Sequence, residues 1–329
     1  MGLMAVLATS LTSTPTGLRP LDERRDLSAV ADLIEICFSD NMDPEGRRYI
    51  RELRLNARTA GFWQIMGAFA EPGQNPYYGY VWEEEERVVG NVSLFPFQIQ
   101  GHRCYLIANV AVHPDYRGRG IGRALTSAGI NFARSRNAQA AWLHVRDDNG
   151  PAVHIYQSLG FLERARRTTW QVRGNSEQRQ VNRDGLTIHS RSGALWPLQR
   201  EWLRRLYPRE LSWHLPLDWK AFEPGLFGSL YRLMNFTFPR HWAIQRNSDL
   251  LGVLTWQRSL GSTDNLWLAT PEKIDDMAIW ELLACVRRYF STQRIARLNL
   301  PASHASEALL EAGYEVGHTL IWMEYRLGL

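Results

Sequence analysis

A strand, a glycine-rich turn and a helix follow one another without interruption in residues 109–125, and this order constrains the fold more than any other feature of the chain. Three glycines remove side chains from the turn, so successive backbone N–H groups can approach an anion closely. They are Gly118, Gly120 and Gly122. The N-terminus of the following helix adds unpaired donors and the positive end of its dipole. With Arg117 and Arg119 adding positive charge, the segment predicts a cradle for a pyrophosphate.

Two other nucleotide-binding loops fit this turn less well. A Walker A loop requires Lys and then Ser or Thr after its last glycine, whereas Arg123 and Ala124 follow Gly122 here. A dinucleotide-binding fold requires G-x-G-x-x-G, and Leu125 stands where the third glycine would fall. A turn whose glycines serve only a tight strand-to-helix connection remains an alternative.

The residues around the turn predict a mixed sheet with helices. The expected elements are a strand at 18–20, helices at 27–37 and 45–57, a hairpin of strands 77–82 and 88–95, a buried strand at 104–112, a helix at 122–134, a strand at 140–145, a helix ending at Gly160, and a strand at 161–172. The strand at 161–172 is expected to close the sheet.

The segment from Arg117 to Gly122 matches the R/Q-x-x-G-x-G/A signature of the GNAT superfamily of N-acyltransferases, and the surrounding order of elements resembles that family over about residues 17–172. The resemblance implies a GNAT fold, an α+β (mixed α/β) architecture whose central, mostly antiparallel sheet is flanked by helices. It also implies acetyl-CoA as co-substrate and no metal. The backbone from Arg117 through Gly118, Arg119, Gly120 and Ile121 to Gly122 would hold the CoA pyrophosphate. The strand segment Val110, Ala111 and Val112 would contact the pantetheine arm, with Val110 and Val112 pairing through their main chains.

A second match to the family lies in residues 149–161, where Asn149 stands near the start of a helix and Tyr156 further along it. Ala152, Tyr156 and Leu159 share one helix face, so the phenol can point inward. The resemblance gives Asn149 a cofactor-binding role and Tyr156 a place at the thioester sulfur. Tyr156 could then protonate the departing thiolate as a general acid, or it could only pack in the core.

The chemistry requires a neutral amine to attack the thioester carbonyl directly, while backbone donors near Val110 to Val112 hold the oxyanion. The candidates for taking the amine proton are Asn109, which could only position a water, His144, and the acidic turn at 83–86. A lone histidine on a buried strand is more often a satisfied core residue. The sequence therefore leaves the base open.

The second half of the chain repeats the order of elements. The expected elements are a hairpin at 241–244 and 250–256, a strand at 266–269, a helix at 276–290, a strand at 296–300, a helix at 303–311 and a strand pair at 316–325. Two short sequence anchors align the halves, namely 112–114 with 269–271 and 159–161 with 312–314.

This alignment predicts a degenerate copy that does not bind acetyl-CoA. The positions equivalent to Arg117, Gly118, Arg119, Gly120 and Gly122 become Ile274, Asp275, Asp276, Met277 and Ile279, and those equivalent to Asn149 and Tyr156 become Ala302 and Leu309. The two aspartates suit a helix cap and would repel a diphosphate. The copy would then act as a scaffold, a homodimer surface or one wall of the acceptor pocket, for which its tryptophans could supply aromatic groups.

Composition narrows the classes of protein. The chain has 329 residues, a net charge of +4 and three cysteines, which lie far apart in the sequence. No dense basic run predicts a nucleic-acid partner, no long apolar run predicts a membrane helix, and no cysteine spacing predicts a disulfide framework or a metal site. A cytoplasmic location is expected. The predicted organisation is a disordered leader at 1–16, a catalytic GNAT domain at 17–173, a linker at 174–185 and the degenerate domain at 186–329.

The leading hypothesis is an acetyl-CoA-dependent N-acetyltransferase acting on a small-molecule amine or a peptide N-terminus. One rival is a sensor or adaptor that binds acyl-CoA without turnover. A second is a thiol-ligand synthase resembling the two-domain GNATs that acetylate a cysteinyl amine, but in those proteins the C-terminal domain is the active one.

Overall fold

A computed structural model describes residues 17–39, 42, 44–66, 78–174, 185–211, 213–215, 217–259, 261 and 263–328. The expected leader at 1–16 and most of the expected linker lie outside the described residues. We refer to residues 17–174 as the first half and to residues 185–328 as the second half.

The first half contains six strands and four α-helices among its described residues. They are β1 Leu18–Pro20, α1 Glu23–Phe38, α2 Pro44–Met66, β2 Tyr78–Glu84, β3 Arg87–Ile99, β4 His102–Val112, α3 Ile121–Ser135, β5 Ala140–Arg146, α4 Gly150–Leu159 and β6 Leu162–Val172. Every predicted element is present, and α2 extends well beyond the expected 45–57. The hairpin turn narrows to Glu85 and Glu86, which both have positive φ.

The described part of the second half repeats this order. Its elements are β7 Leu186–Ser190, α5 Trp196–Leu206, α6 Trp219–Phe222, α7 Gly225–Met234, β8 Arg240–Arg246, β9 Asp249–Gln257, β10 Thr263–Ala269, α8 Asp276–Val286, β11 Ile295–Pro301, α9 Ser306–Glu311 and β12 Glu315–Arg326. The expected strand pair at 316–325 is one continuous strand, because no turn interrupts it. The sequence reasoning did not identify β7, α5, α6 or α7.

All twelve strands form one sheet in the order β1-β2-β3-β4-β5-β12-β6-β11-β10-β9-β8-β7. Strand β12 of the second half pairs antiparallel with β5, and β6 of the first half pairs antiparallel with β11. The two halves have therefore exchanged their last strands. The expectation that 161–172 closes the sheet of its own half is wrong, since β12 occupies the place beside β5.

The exchange also joins the hydrophobic cores. Ile321 and Met323 of β12 pack in the first-half core with Leu143, whereas Trp170 and Val172 of β6 pack in the second-half core. Burial of apolar surface is the main favourable term in folding, so each half depends on the other for part of its core. The domain boundaries at 173 and 186 therefore remain a prediction. The strands within either pair of bounds do not form a complete GNAT-like sheet without the last strand of the other half.

None of the helices in the described ranges combines the length and the apolar character needed to cross a membrane.

The exchanged strand gives a direct test of this architecture. Met323 is fully buried, at 0% exposure, in the first-half core. We expect Met323→Ala to lower the free energy of unfolding by about 2 to 5 kcal/mol, as for other large core truncations. Urea unfolding followed by circular dichroism would measure the change.

Val316→Ala is the matched control, because Val316 lies on the same strand and is 53% exposed. Its effect should stay within about 0.5 kcal/mol. Equal stability of the Met323 variant and the wild type would contradict the placement of β12.

Candidate active site

The strands β4 and β5 separate part-way along their length. They pair in parallel only from Cys104 to Leu106 of β4 and from Ala140 to Trp142 of β5 among the described residues. Both strands continue beyond this point, β4 to Val112 and β5 to Arg146. The result is a split that opens from a vertex at Leu106 and Trp142, and we call it the first split.

A β-bulge in β4 lies just beyond the vertex. Ser93 pairs with Ala108 and Asn91 with Ala111, so Asn109 and Val110 together oppose a single residue of β3. Asn109 has φ 51, a left-handed conformation that asparagine tolerates better than most residues. A bulge bends its strand and re-aims backbone groups, which accounts for the departure of β4 from β5.

A small polar network holds the bulge. The Asn91 side-chain amide donates to the Asn109 carbonyl at 3.0 Å, and the Asn109 amide donates to the Tyr49 hydroxyl at 3.2 Å and to the Ser93 hydroxyl at 3.3 Å. Asn109, a candidate catalytic residue, is therefore engaged in shaping the strand. The sequence reasoning missed Asn91 and Ser93, although two polar residues alternating within an apolar strand were a visible signal.

The backbone of Val110 and Val112 faces the first split. The His113 amide donates to the Val89 carbonyl of β3 at 2.9 Å. Because successive residues of a strand direct their backbone groups to opposite edges, those of Val112 and Val110 point toward β5. Ala111 instead directs its backbone groups to β3. The geometry favours the first two, rather than Ala111, as main-chain partners of a ligand in the split.

The Arg117 side chain turns into the mouth of the split. Its Nε donates to the Val112 carbonyl at 3.1 Å, and the Cys37 thiol donates to the same carbonyl at 3.3 Å. Burial raises the pKa of Cys37, an effect that the Arg117 guanidinium partly offsets. The thiol is therefore protonated and acts as a donor, and the Nε–H of Arg117 is already engaged by the end of β4.

The glycine turn forms an open concavity before α3. Gly118 and Gly120 have φ of +77 and +78, and a Cβ added to either would meet no atom within 4 Å. Gly120 is the N-cap of α3 and brings no side chain to its first N–H groups. Ile121 is 2% exposed and anchors the helix in the core. This arrangement offers bare donors, a helix dipole and free space, which is what an anionic ligand requires.

Further residues surround the cradle. Arg119 is exposed, lies 3.4 Å from the Glu84 carboxylate and stacks on the Tyr116 ring at 4.9 Å. A Cβ at Gly122 would be 3.8 Å from Val112 and 3.9 Å from Ile155 of α4. The start of α3 thus lies close to both β4 and α4.

Helix α4 places the two residues of the second motif. The Asn149 side chain caps the helix by accepting from the Ala152 amide at 3.3 Å. Tyr156 is buried and contacts Phe161 edge-on, with ring centroids 6.0 Å apart. Burial raises the pKa of Tyr156 to about 12. Its hydroxyl has no hydrogen-bond partner within the described part of the chain, so a protonated phenol is available to a ligand.

His144 lies on β5 just beyond the vertex. Its ring stacks on Trp213 with centroids 5.4 Å apart and contacts His214 at 4.6 Å and Trp322 at 4.3 Å. Burial, followed by repulsion from His214 and His318, lowers the pKa of His144 well below its ordinary value. His144 is therefore neutral at physiological pH. The described structure contains no hydrogen bond between His144 and Asn109. Trp213 is one of the second-half tryptophans expected as possible aromatic groups of the acceptor pocket, whereas no sequence signal pointed to His214.

Glu83, the first residue of the acidic turn, is bound by two arginines. The Glu83 carboxylate forms ion pairs with Arg19 and Arg25, and the hydrogen bond from Arg19 is the main reason that the pKa of Glu83 is lowered. A carboxylate held in this way is a poor proton acceptor. It also secures β1 and α1 to the β2–β3 hairpin.

The second half has a corresponding split without a cradle. Strands β10 and β11 pair in parallel from Thr263 to Leu266 and from Ile295 to Leu298, after which their pairing ends in the described structure. The connection to α8 spans residues 270–275, two fewer than the 113–120 connection to α3. The N-cap Asp275 therefore corresponds to Gly120, and not to Gly118 as the sequence alignment has it.

The start of α8 is occupied by the protein itself. The Asp275 carboxylate accepts from the Ala278 amide at 3.0 Å and forms an ion pair with Arg246 at 2.6 Å. The expected capping by Asp275 is confirmed, whereas Asp276 lies within the first turn of the helix. At the end of β10, Arg205 donates to the Thr270 carbonyl at 2.5 Å.

Residues 33–161 match the model of the acetyltransferase (GNAT) family. The matched segment covers less than half of the chain. It contains the first split, the glycine turn and α4, so the family match falls on the geometry described above.

Two mycothiol acetyltransferases match about the same share of the chain, and a third relative matches a shorter segment. The mycothiol acetyltransferase of Rhodococcus jostii (strain RHA1) is 50% identical over 163 residues, covering 44% of this chain and 53% of the relative. That of Rhodococcus opacus (strain B4) is 29% identical over 164 residues, covering 44% and 54%. The [ribosomal protein bS18]-alanine N-acetyltransferase of Escherichia coli (strain K12) is 46% identical over 55 residues, covering 17% and 37%. The chain thus spans about half the length of the mycothiol acetyltransferases that it matches.

Among solved structures, the GCN5-related N-acetyltransferase from Sphaerobacter thermophilus has a TM-score of 0.55 and 15% identity, and the match covers 96% of this chain and 98% of that one. At this identity the likeness shows the fold alone. It extends the GNAT fold over both halves.

The open cradle predicts a specific loss of binding. Gly120→Glu would place a carboxylate and its side chain where the diphosphate is expected. Affinity for acetyl-CoA should fall more than about tenfold, a loss of at least about 1.4 kcal/mol. Isothermal titration calorimetry would measure it.

Gly101→Glu is the matched control, because Gly101 also has positive φ (+85) and open space around its Cβ position. Backbone strain is then similar in the two variants, and only the position differs. Unchanged affinity of the Gly120 variant would remove the pyrophosphate assignment.

The occupied start of α8 predicts one acetyl-CoA per chain. The donors of α8 meet Asp275, and carboxylates near the helix start repel a diphosphate. Titration of the full chain should give a stoichiometry near one, and the Gly120→Glu variant should remove that single event. Two binding events per chain would contradict a silent second half.

Proposed function

We propose that this chain is an acetyl-CoA-dependent N-acetyltransferase whose reaction centre is the first split. The observation that best supports this proposal is the combination of a bulged β4, which separates from β5, with an open glycine turn at the start of α3. Among the described residues, only those of the first half form both. The likeness to proteins named acetyltransferases supports the same conclusion.

Backbone groups and one helix would hold the co-substrate. The turn from Arg117 to Gly122 fits the pyrophosphate, because its left-handed glycines leave the N–H groups bare. The backbone groups of Val110 and the N–H of Val112 would pair with the pantetheine arm, since the Val112 carbonyl already accepts from Arg117 and Cys37. Acetyl-CoA supplies the thioester from which the acetyl group is transferred.

The residues around the split would stabilise the negative charge of the reaction and transfer its protons. Amide groups of the bulged segment facing β5 would stabilise the oxyanion that forms when the amine attacks the carbonyl carbon. The C–N bond forms first, and the C–S bond breaks when the carbonyl is restored and the thiolate leaves. Tyr156 would donate its proton to the leaving thiolate, for which its raised pKa keeps it protonated.

His144 is the proposed acceptor of the amine proton. A low pKa makes it a weak base, but the attacking nitrogen becomes strongly acidic once it bonds to the carbonyl carbon. The exposed His214 ring lies 4.6 Å away and offers a route for the proton to solvent. Asn109 would act through the bulge that it shapes.

For the acceptor amine, the proposal extends only to its chemical class. Relatives are named for mycothiol and for the alanine of ribosomal protein bS18, so an amine screen should include thiol-bearing and peptide acceptors. Thiol release in that screen tests the function. Binding of acetyl-CoA with no release of thiol across the screen would favour the sensor or adaptor.

Tyr156→Phe separates binding from turnover. We expect unchanged affinity for acetyl-CoA and a fall in kcat of about 10²-fold, because only the proton donor is removed. Calorimetry and steady-state thiol release would be measured on the same preparation.

Tyr105→Phe is the control, since Tyr105 is also a buried tyrosine of the first-half core, at 5% exposure. It lies on the paired part of β4 and should leave kcat unchanged. Full turnover of the Tyr156 variant would make Tyr156 a packing residue.

A further inference from the structure

A cluster of aromatic rings and histidines lies at the vertex of the first split and is built by both halves. Its members are Phe97 of β3, Trp142 and His144 of β5, Trp322 of β12, and Trp213 and His214 between α5 and α6. Phe97 and Trp213 stack with ring centroids 4.1 Å apart. We call this group the aromatic cluster.

Its place in the sheet ties the cluster to the proposed reaction. Trp142 is the last residue of β5 that pairs with β4, and His144 lies two residues further on the same face. Trp322 is the direct neighbour of His144 across the β5–β12 pair. The cluster therefore borders the split where its two strands part, beside the bulge at Asn109.

Four nitrogen atoms of the cluster are buried without a hydrogen-bond partner in the described structure. They are Nε1 of Trp142, Trp213 and Trp322 and Nε2 of His144. Trp142 and Trp322 are only 3% and 1% exposed. An indole N–H can only donate, and an unmet buried donor costs about 1 to 3 kcal/mol. Three such donors in one cluster indicate a ligand that brings acceptor atoms.

Indoles elsewhere in the sheet do meet acceptors. Trp82 donates to Glu84 at 3.1 Å, Trp256 to Asp264 at 3.2 Å and Trp267 to Gln257 at 3.2 Å. The unmet donors are thus a property of the aromatic cluster rather than of tryptophan in this fold.

The charges around the cluster favour a ligand whose hydrogen-bond-accepting group is neutral or anionic over a metal cation. Burial and neighbouring histidines lower the pKa of both His144 and His214, which are therefore uncharged at neutral pH. Glu324, on the same face of β12 as Trp322, is bound by Arg164 at 2.8 Å and by Arg326 at 3.2 Å. Within the described ranges no group of three or more His, Cys, Asp or Glu side chains could hold a metal ion. His214 keeps some solvent-exposed surface, whereas the four nitrogen atoms named above are buried.

We propose that the aromatic cluster is the acceptor subsite and that it selects amines carrying a carbonyl group next to the amine-bearing carbon, on an apolar or aromatic body. The inference rests on the proposed acetyl transfer. The carbonyl oxygen accepts from the indole N–H groups, and the apolar body lies against the rings. The reaction is the same acetyl transfer as above. The amine nitrogen bonds to the carbonyl carbon of the acetyl group, and CoA leaves as the thiol.

A pair of probes isolates the carbonyl group. Phenylalaninamide and 2-phenylethylamine share a ring and a primary amine, but only the former has the carbonyl. We expect phenylalaninamide to bind the CoA-saturated full chain about tenfold more tightly, as one or two added hydrogen bonds allow. Phenylalanine provides a third arm, which distinguishes an amide oxygen from a carboxylate.

A variant separates the effect of the carbonyl group from any effect of amine charge on the binding of the two probes. Trp213→Phe deletes one N–H and keeps an aromatic ring, so the ratio of the two dissociation constants should fall about 3- to 10-fold. The ratio in Trp267→Phe should not change, because that indole already donates to Gln257 in the second-half core. Trp142→Phe repeats the test from the first half if the Trp213 variant does not fold.

Each outcome decides the inference. Equal binding of the two probes by the wild type overturns it and shows that neighbouring rings satisfy the indole groups. An equal loss for both probes in Trp213→Phe also overturns it. Acetylation of amines without the carbonyl at undiminished efficiency would end the inference and leave the proposed function standing. Absence of acetyl-CoA binding would end the proposed function itself.

Discussion

The exchange of β6 and β12 is the constraint on which the rest of the structure depends. Each strand is held by backbone hydrogen bonds to a strand of the other half, and each inserts apolar side chains into the other core. Separating the halves would expose two sheet edges and open both cores together. The exchange also brings Trp322 beside His144, so the same pairing that stabilises the fold completes the wall of the candidate site.

The first split shows how backbone geometry can prepare a site before any ligand binds. Antiparallel pairing with β3 continues along β4 through the bulge, which Asn91 holds by its bond to the Asn109 carbonyl. Parallel pairing with β5 stops at Trp142. Main-chain groups on one edge of β4 thereby lose their strand partners at a fixed position. Such groups are fixed by the fold and need no reorganisation when charge develops.

Local sequence predicted the first half well where a chemical requirement fixed it. The glycines of the turn, the cap at Asn149 and the apolar runs of β4 and β5 each follow from a short-range rule, and the elements lie where these rules put them. The strand exchange could not be predicted in this way, because no short-range rule decides which of β6 and β12 lies beside β5. His214 was missed, and the contact of Trp213 with His144 was not foreseen, since only the tertiary arrangement brings that segment to β5.

The comparison of the two halves separates fold from function. Both contain a parallel pair that parts midway and a helix that starts beyond it, so a split by itself does not create an anion site. The difference lies in the connection: eight residues with left-handed glycines leave the N–H groups of α3 bare, whereas six residues ending in Asp275 occupy those of α8. A carboxylate cap stabilises its helix by about 0.5 to 2 kcal/mol relative to alanine. The second half therefore has helix-cap stabilisation where the first half has uncapped N–H groups, and its segment at Trp213 and His214 lies against the candidate site of the first half.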